Sequence, residues 1–463
     1  MTLAVLVANE ARALTLEAAI TYVIETHPEI SAAEANKQAI EFELEQARGF
    51  RTPRVSLEAW SGYSQNRGNS IPDAGASDST LGGYDMSARI SQMIFDGYET
   101  RSEIEHQAYR IDSAAMRVLE RSEVLALEAV RLYSDVLRAS ALLKLAQDNL
   151  AYHQEVFGRL ENGFRRGVIG VSDVRQAEER VLLAEDTILD FELNLEDTKT
   201  LFLATVGIEA KQLHNVPNIG GSMPHSLEAA LKTTRNESPV IKFSQSDVGS
   251  AEALMRRVNS NALPTLSLEA EARFGENIGG FEGRRQDASV GLMLRYEFQG
   301  KTKRAAREEQ IRRVSESRAR LLARTRKVEA EVRQSWATLQ SANRRLKTIE
   351  AQAKLSRELR ESYEVEFTVG SRSLLDVLNT QSALFQAEAN LINARSLSTY
   401  ARYRLLASIG KLLPTLGIAP PEDAQAYASE FVGAPGLSET SPEGISDARA
   451  FKDWRKSLGQ NGN

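Results

Sequence analysis

Five histidines, His27, His106, His153, His214 and His225, and not one cysteine are available for metal or nucleophile chemistry in this chain. None of the histidines has the HExxH spacing that presents two imidazoles to zinc from one helical face, and none has a clustered carboxylate partner. Without thiolates there is no sulfur metal site, no disulfide framework and no cysteine to carry a lipid anchor. A GxxxxGK[ST] phosphate loop and a GxSxG nucleophile elbow are also missing, and Gly410-Lys411 lacks the glycine loop that would have to precede it. The sequence therefore predicts no enzyme, no cofactor, no metal and no ATP hydrolysis. The chemistry that remains is charge close to glycine. Asp173 follows Gly167, and Asp376 follows Gly370 at the same distance. Such carboxylates can bind cations or pair with arginine. They can equally cap a helix that starts there, because acidic residues favour helix N-termini. The glycines suit turns that need positive φ.

A second concentration of charge is Lys301, Lys303, Arg304 and Arg307, continued by further arginines to Lys327. Most charge runs are solvated helix faces. This one follows directly on a strand-like segment, which also suits contact with anionic lipid headgroups or the lining of an aqueous lumen. Nucleic acid is disfavoured by the net charge of −6, the pI near 5.7 and the aromatic content of 6%. No stretch approaches the roughly 18 to 20 apolar residues of a membrane-spanning helix, so any membrane insertion must use strands closed into a barrel. Residues 1–13 contain a short apolar run and Ala11-Arg12-Ala13, and are expected to be a shortened secretory signal without a basic start. An ordinary first helical turn is the alternative.

These features sit in a tandem duplication. Leu16-Glu17-Ala18-Ala19-Ile20 returns as Leu227-Glu228-Ala229-Ala230-Leu231, and Pro53-Arg54-Val55-Ser56-Leu57-Glu58-Ala59 as Pro264-Thr265-Leu266-Ser267-Leu268-Glu269-Ala270, both after 211 residues. Beyond a shorter loop the spacing becomes 203, which pairs Phe95 with Phe298, Gly167 with Gly370, Asp173 with Asp376 and Gly207 with Gly410. The period is far longer than a solenoid repeat, so the expected organisation is two copies of a half-molecule, residues 14–215 and 216–413, followed by a largely disordered tail at 414–463.

Each half predicts two helices that stop at a proline, then two strands, then a long helical hairpin. The strand pairs are expected at 54–65 with 84–95 and at 265–274 with 287–298, from alternation such as Val290, Leu292 and Leu294 against Ser289, Gly291 and Arg295. Met293 is an apolar exception. The hairpins are expected at 100–206 and 302–412. In the first, Ile111, Ala115, Val118, Ser122, Leu125, Ala129 and Leu132 step by alternating four and three residues, the seam of a left-handed coiled coil. Four strands per chain cannot close a barrel, so a membrane form requires several chains. The fold class expected is thus an α+β membrane channel, an oligomeric barrel continued by an antiparallel helical coiled coil. A soluble coiled-coil scaffold or adaptor protein without a channel is the alternative.

The order helix, helix, strand pair, long hairpin, twice over, resembles the TolC-type outer-membrane factors from about Leu14 to Leu413. Phe367-Thr368-Val369-Gly370-Ser371-Arg372 through Asp376-Val377-Leu378 is similar to that family's second hairpin tip, and Phe164-Arg165-Arg166-Gly167 through Asp173-Val174 to its first. The resemblance implies a homotrimer with a shared outer-membrane β-barrel and a periplasmic α-helical tunnel. It implies a passive duct for type I secretion or efflux, located in the outer membrane and in contact with its lipid. The partners implied are a periplasmic membrane-fusion adaptor and an inner-membrane transporter of ABC or RND type. Asp376 and Asn379 correspond to the family's aspartate rings at the entrance, so the second ring is an uncharged amide. Three Asp376 carboxylates around one axis would repel and favour cations. Phe367 stands where a tyrosine often does and lacks its hydroxyl, which leaves an Arg372–Asp173 ion pair as the expected latch. Adaptor contact is expected at Val369, Gly370 and Ser371, and at Arg166, Gly167 and Val168, where the match is partial.

Overall fold

The computed structural model describes residues 13–66, 79–280, 282–298 and 300–436. The expected signal segment, most of the first inter-strand loop and the tail beyond 436 lie outside the described residues. The elements run α1 (Leu16–Thr26), α2 (Pro28–Gly49), β1 (Arg54–Asn66), β2 (Ser79–Phe95), α3 (Glu99–Arg165) and α4 (Val171–Val206). The order then repeats as α5 (Leu227–Glu237), α6 (Pro239–Ser260), β3 (Thr265–Glu276), β4 (Arg284–Arg295), α7 (Gly300–Thr368) and α8 (Leu374–Ser408). Two single turns, α9 (Leu412–Thr415) and α10 (Ala428–Phe431), follow. The chain divides into two compact units, and α3 and α7 contribute to both.

The first unit comprises residues up to Ala35, Ala115–Lys242 and Ala323–Gln425. Its helices begin where the sequence provides caps: Thr15 Oγ1 accepts from Ala18 N–H at 3.2 Å, and Ser226 Oγ, its counterpart in the second half, accepts from Ala229 N–H at 3.1 Å. The coiled-coil seam is buried. Val118, Ser122, Ala129, Leu132 and Val332 are at most 1% exposed. Ser122, the polar member of the first seam, donates back to Val118 O at 2.9 Å, so its hydroxyl is satisfied within its own helix. Glu123 is also buried. Its carboxylate accepts from Leu412 and Leu413 N–H at 3.2 and 3.3 Å, which ties the start of α9 to α3. Burial pushes its pKa up to about 7, against the lowering effect of those two amides and of Lys411.

The second unit comprises Asn36–Ala114, Phe243–Leu322 and the segment from Ala426. It holds one antiparallel sheet in the order β1-β2-β3-β4. Val55 faces Ile90, Ile90 faces Ala270 and Ala270 faces Val290, so one face is a continuous apolar surface. Val55 is 61% exposed and Val290 77%. The other face is charged, with Arg89 on Glu271 at 2.9 Å and Arg273 bridged to Asp85. β2 begins at Ser79, earlier than expected, because Gly82 and Gly83 pair with Tyr63 and Gly62. At Gly83 a Cβ would come within 2.6 Å of Glu276 O, so these glycines permit close strand approach as well as turning. Beneath the sheet the helices are joined by an ion pair and a hydrogen bond: Glu105 accepts from Arg256 at 2.8 and 3.0 Å, and Ser113 donates to Asp247 at 2.6 Å.

The start of the expected disordered tail, residues 414–436, is folded. In the first unit Ile418 and Ala424 join the core. In the second, the buried Asp112 carboxylate accepts from Tyr427, Ala428 and Ser429 N–H at 2.8, 2.8 and 3.0 Å. Composition averaged over Gly, Ser, Pro and Glu hides single docking residues of this kind.

Candidate functional site: the hairpin tips

Both tips belong to the first unit, and their backbones are copies. At the first, Gly167 N–H donates to Phe164 O at 2.8 Å and Val168 N–H to Gly163 O at 3.1 Å. At the second, Gly370 N–H donates to Phe367 O at 3.0 Å and Ser371 N–H to Glu366 O at 3.0 Å. These pairs close α3 and α7 in the same left-handed turn, with φ of +74° at Gly167 and +80° at Gly370. A Cβ at either glycine would meet nothing within 4 Å, so the requirement is conformational and not one of space.

The side chains differ between the tips. Asp376 stands in a reciprocal cap at the start of α8. Its N–H donates to Ser373 Oγ at 3.2 Å, while its Oδ2 accepts from Ser373 Oγ at 2.8 Å and Ser373 N–H at 3.3 Å. The Ser373 hydroxyl, then its amide, and the nearby Arg372 charge hold the carboxyl below the usual aspartate value. Arg372 Nε donates to Glu366 Oε2 at 2.6 Å, and its guanidinium lies 4.3 Å from the Tyr363 ring centroid. That carboxylate raises its pKa further. Among the described residues the first tip has no capping box and no arginine stacked on a ring: α4 is capped by Gly170, which has no side chain to offer, Asp173 sits half-buried in the first turn, and Arg165 pairs back to Glu161 in its own helix at 2.7 Å. Arg166 donates only to Asn162 O, at 3.3 Å.

The expected residues thus fall into three groups. Phe367, with Ile169 and Val174, packs on a small core of Val156, Leu160, Ala177, Leu374 and Leu378, which joins the two hairpins near their ends. Val168 and Val369 are 73% and 76% exposed, and Arg166, Gly167, Gly370, Ser371 and Asn379 are exposed beside them. Arg372 and Asp376 are engaged on the second tip. The Arg372–Asp173 latch is not formed within one chain; Glu366 takes the guanidinium instead. Ser373, Glu366 and Tyr363 are the site residues that sequence reasoning missed. Ser373-x-x-Asp376 carries a readable capping signal, whereas nothing in the sequence marks Glu366 and Tyr363. Among the described residues no cluster of His, Asp or Glu is placed to hold a metal ion.

Comparison with known proteins now decides the family. The sequence model of the family described as "Outer membrane efflux protein" matches residues 19–203 and 230–411, one stretch in each half of the duplication. The chain belongs to the outer membrane efflux protein family. It is 21% identical over 411 residues to "Outer membrane efflux protein BepC" of Brucella suis biovar 1, covering 88% of each chain. It is 24% identical over 447 residues to "Alkaline protease secretion protein AprF" of Pseudomonas aeruginosa, covering 92% of this chain and 89% of the relative. Its fold matches the solved outer-membrane channel OprN with a TM-score of 0.73 at 17% identity, over 86% of this chain and 90% of that one. As a member of this family the chain is a passive outer-membrane export channel and not an enzyme. The soluble scaffold is the disfavoured alternative.

Proposed function

We propose that three copies of the chain close a β-barrel in the outer membrane and continue it as a periplasmic helical tunnel, a duct opened at the hairpin tips. The observation that carries this is the sheet. Among the described residues β1 and β4 each lack a partner on their outer side, one face is apolar and exposed, and the other is charged. A lone sheet with two open edges is a liability in water, and closure with further chains removes it. Apolar-out and polar-in is the alternation that a lipid-facing barrel with an aqueous lumen needs. The chain supplies no ATP site, so the work of transport comes from an inner-membrane transporter of ABC or RND type through a periplasmic adaptor.

In this reading the tips are the gate. Three Asp376 carboxylates form a charged ring, and Asn379 adds an uncharged one. The Arg372–Asp173 pair becomes a latch between neighbouring hairpins, for which Arg372 must leave or share Glu366. Exposed Val168 and Val369, with Arg166, Gly167, Gly370 and Ser371, offer the adaptor two similar footholds. AprF is by name a protein of protease secretion, and type I protein export is the cargo class we favour over small-molecule efflux. Purified protein in detergent is expected to have the mass of a trimer and to give discrete conductance steps in a planar bilayer. A monomer that remains soluble without detergent and conducts nothing would refute the proposal.

A further inference from the structure

The apolar face of the sheet ends in aromatic rings at the edge nearest the helices. Phe95 pairs opposite Leu266 on that face, and its ring meets Tyr98 edge-on at 5.6 Å. On β4 the alternation Val290, Leu292 and Leu294 passes on to Tyr296 and Phe298, which are 58% and 83% exposed. Positive charge begins at the same level. Lys303 Nζ lies 5.6 Å from the Tyr296 ring centroid. Lys301, Arg304 and Arg307 on the same two turns of α7 are exposed, and none has a carboxylate partner among the described residues.

That charge opposes the helix it stands on. Cations in a first turn face the positive end of the macrodipole, and carboxylates are the favourable choice there. The matching start of α3 is balanced within the chain: its cation Arg101 pairs with Glu105 at 3.2 Å, and its Glu99 and Glu103 are bridged by Arg257 at 3.4 and 2.9 Å. The second half of the duplication therefore has an arrangement that its own helix disfavours, and among the described residues no carboxylate side chain pairs with Lys301, Arg304 or Arg307. An anion from outside the chain would relieve it. Whatever medium covers Val290 and Leu292 also reaches Tyr296 and Phe298, and amphipathic rings at the rim of an apolar band mark the headgroup level of a bilayer.

We infer that Tyr296, Phe298, Lys301, Lys303, Arg304 and Arg307 form a seat for the headgroups of anionic phospholipid, in the leaflet that faces the helices. The rings insert at the boundary, and the cations hold the phosphates just below it. The seat rests on the barrel reading above and adds to it a lipid preference.

The test uses full-length protein stripped of lipid in detergent and then offered dioleoylphosphatidylglycerol or dioleoylphosphatidylcholine, with retained lipid counted by native mass spectrometry. Wild type is expected to retain the anionic lipid about fivefold better, and the preference should shrink in 0.5 M salt. The variant Lys301→Gln/Arg304→Gln/Arg307→Gln should retain both lipids equally. Salt dependence of the wild type keeps the test decisive if the variant does not fold. Equal retention by wild type overturns the seat. So does competition by inorganic phosphate as effective as that of the lipid, which would mean a free-anion site. So does a variant that falls apart into monomers with its lipid preference intact, which would mean a face between chains. Conductance of the same samples separates the two claims: channels without lipid preference sink the seat alone, whereas no channels at all sink the barrel and the seat with it.

Discussion

At the end of α3 the turn from Gly163 to Gly170 is held by backbone hydrogen bonds, by Arg165 paired back to Glu161 within its own helix at 2.7 Å and by a longer contact of Arg166 to Asn162 O. At the end of α7 the same backbone carries a capping box and one arginine, Arg372, that both bonds Glu366 and stacks on Tyr363. Duplication preserved the turn, while the side-chain contacts differ, and the second copy alone ties its helix start with a capping box. For a gate the difference has a direction. The first tip leaves Arg166, Gly167 and Val168 exposed to be gripped, while the second holds its charged residues in place.

If the turns are equivalent and only the side chains differ, Gly167→Ala and Gly370→Ala should cost the same, about 1–2 kcal/mol each, because both force an L-residue to positive φ in open space. Hydrogen exchange of the tip amides reads this, and a large asymmetry would break the backbone half of the comparison. Ser373→Ala should loosen the second tip by about 1 kcal/mol and leave the first unchanged. Acid should act in the same place. The Asp376 pKa is lowered in the folded chain, so its contribution is complete above the ordinary value of 3.8 and is lost as the pH falls through the lower folded value. Exchange at the second tip, corrected for intrinsic rates, should therefore rise on going from pH 5 to pH 3, and Asp376→Ala should abolish the rise. The smallest effect should come from Gly170→Ser. Gly170 has an extended conformation open to any residue, with Asp173 three positions on, so serine there would recreate the missing box and stiffen the first tip by a few tenths of a kcal/mol.

The parts of this comparison were unequally legible in sequence. Gly167 and Gly370 could be read because positive φ selects glycine almost alone, and the duplication supplied each with a counterpart. The strand faces could be read because a period of two leaves little choice once one face is apolar. The partner of Arg372 could not. A long, flexible side chain reaches carboxylates on several elements, and only the folded turn brings Glu366 closer than Asp173 within one chain. The docking of residues 414–436 was hidden for a related reason: Asp112 lies more than 300 residues upstream of the amides it accepts, with no periodic pattern to connect them.

The central claim is that the tightly held Asp376 forms the charged ring of an export gate, and divalent block of single channels tests it most directly. In planar bilayers the account predicts block of wild type by a divalent cation from the tip side, with a blocking constant at least about tenfold weaker in Asp376→Ala, as expected when a ring of charges is removed from a narrow entrance. Asn379→Ala should leave the constant unchanged. An unchanged blocking constant in Asp376→Ala would confine that residue to capping α8 and contradict the gate.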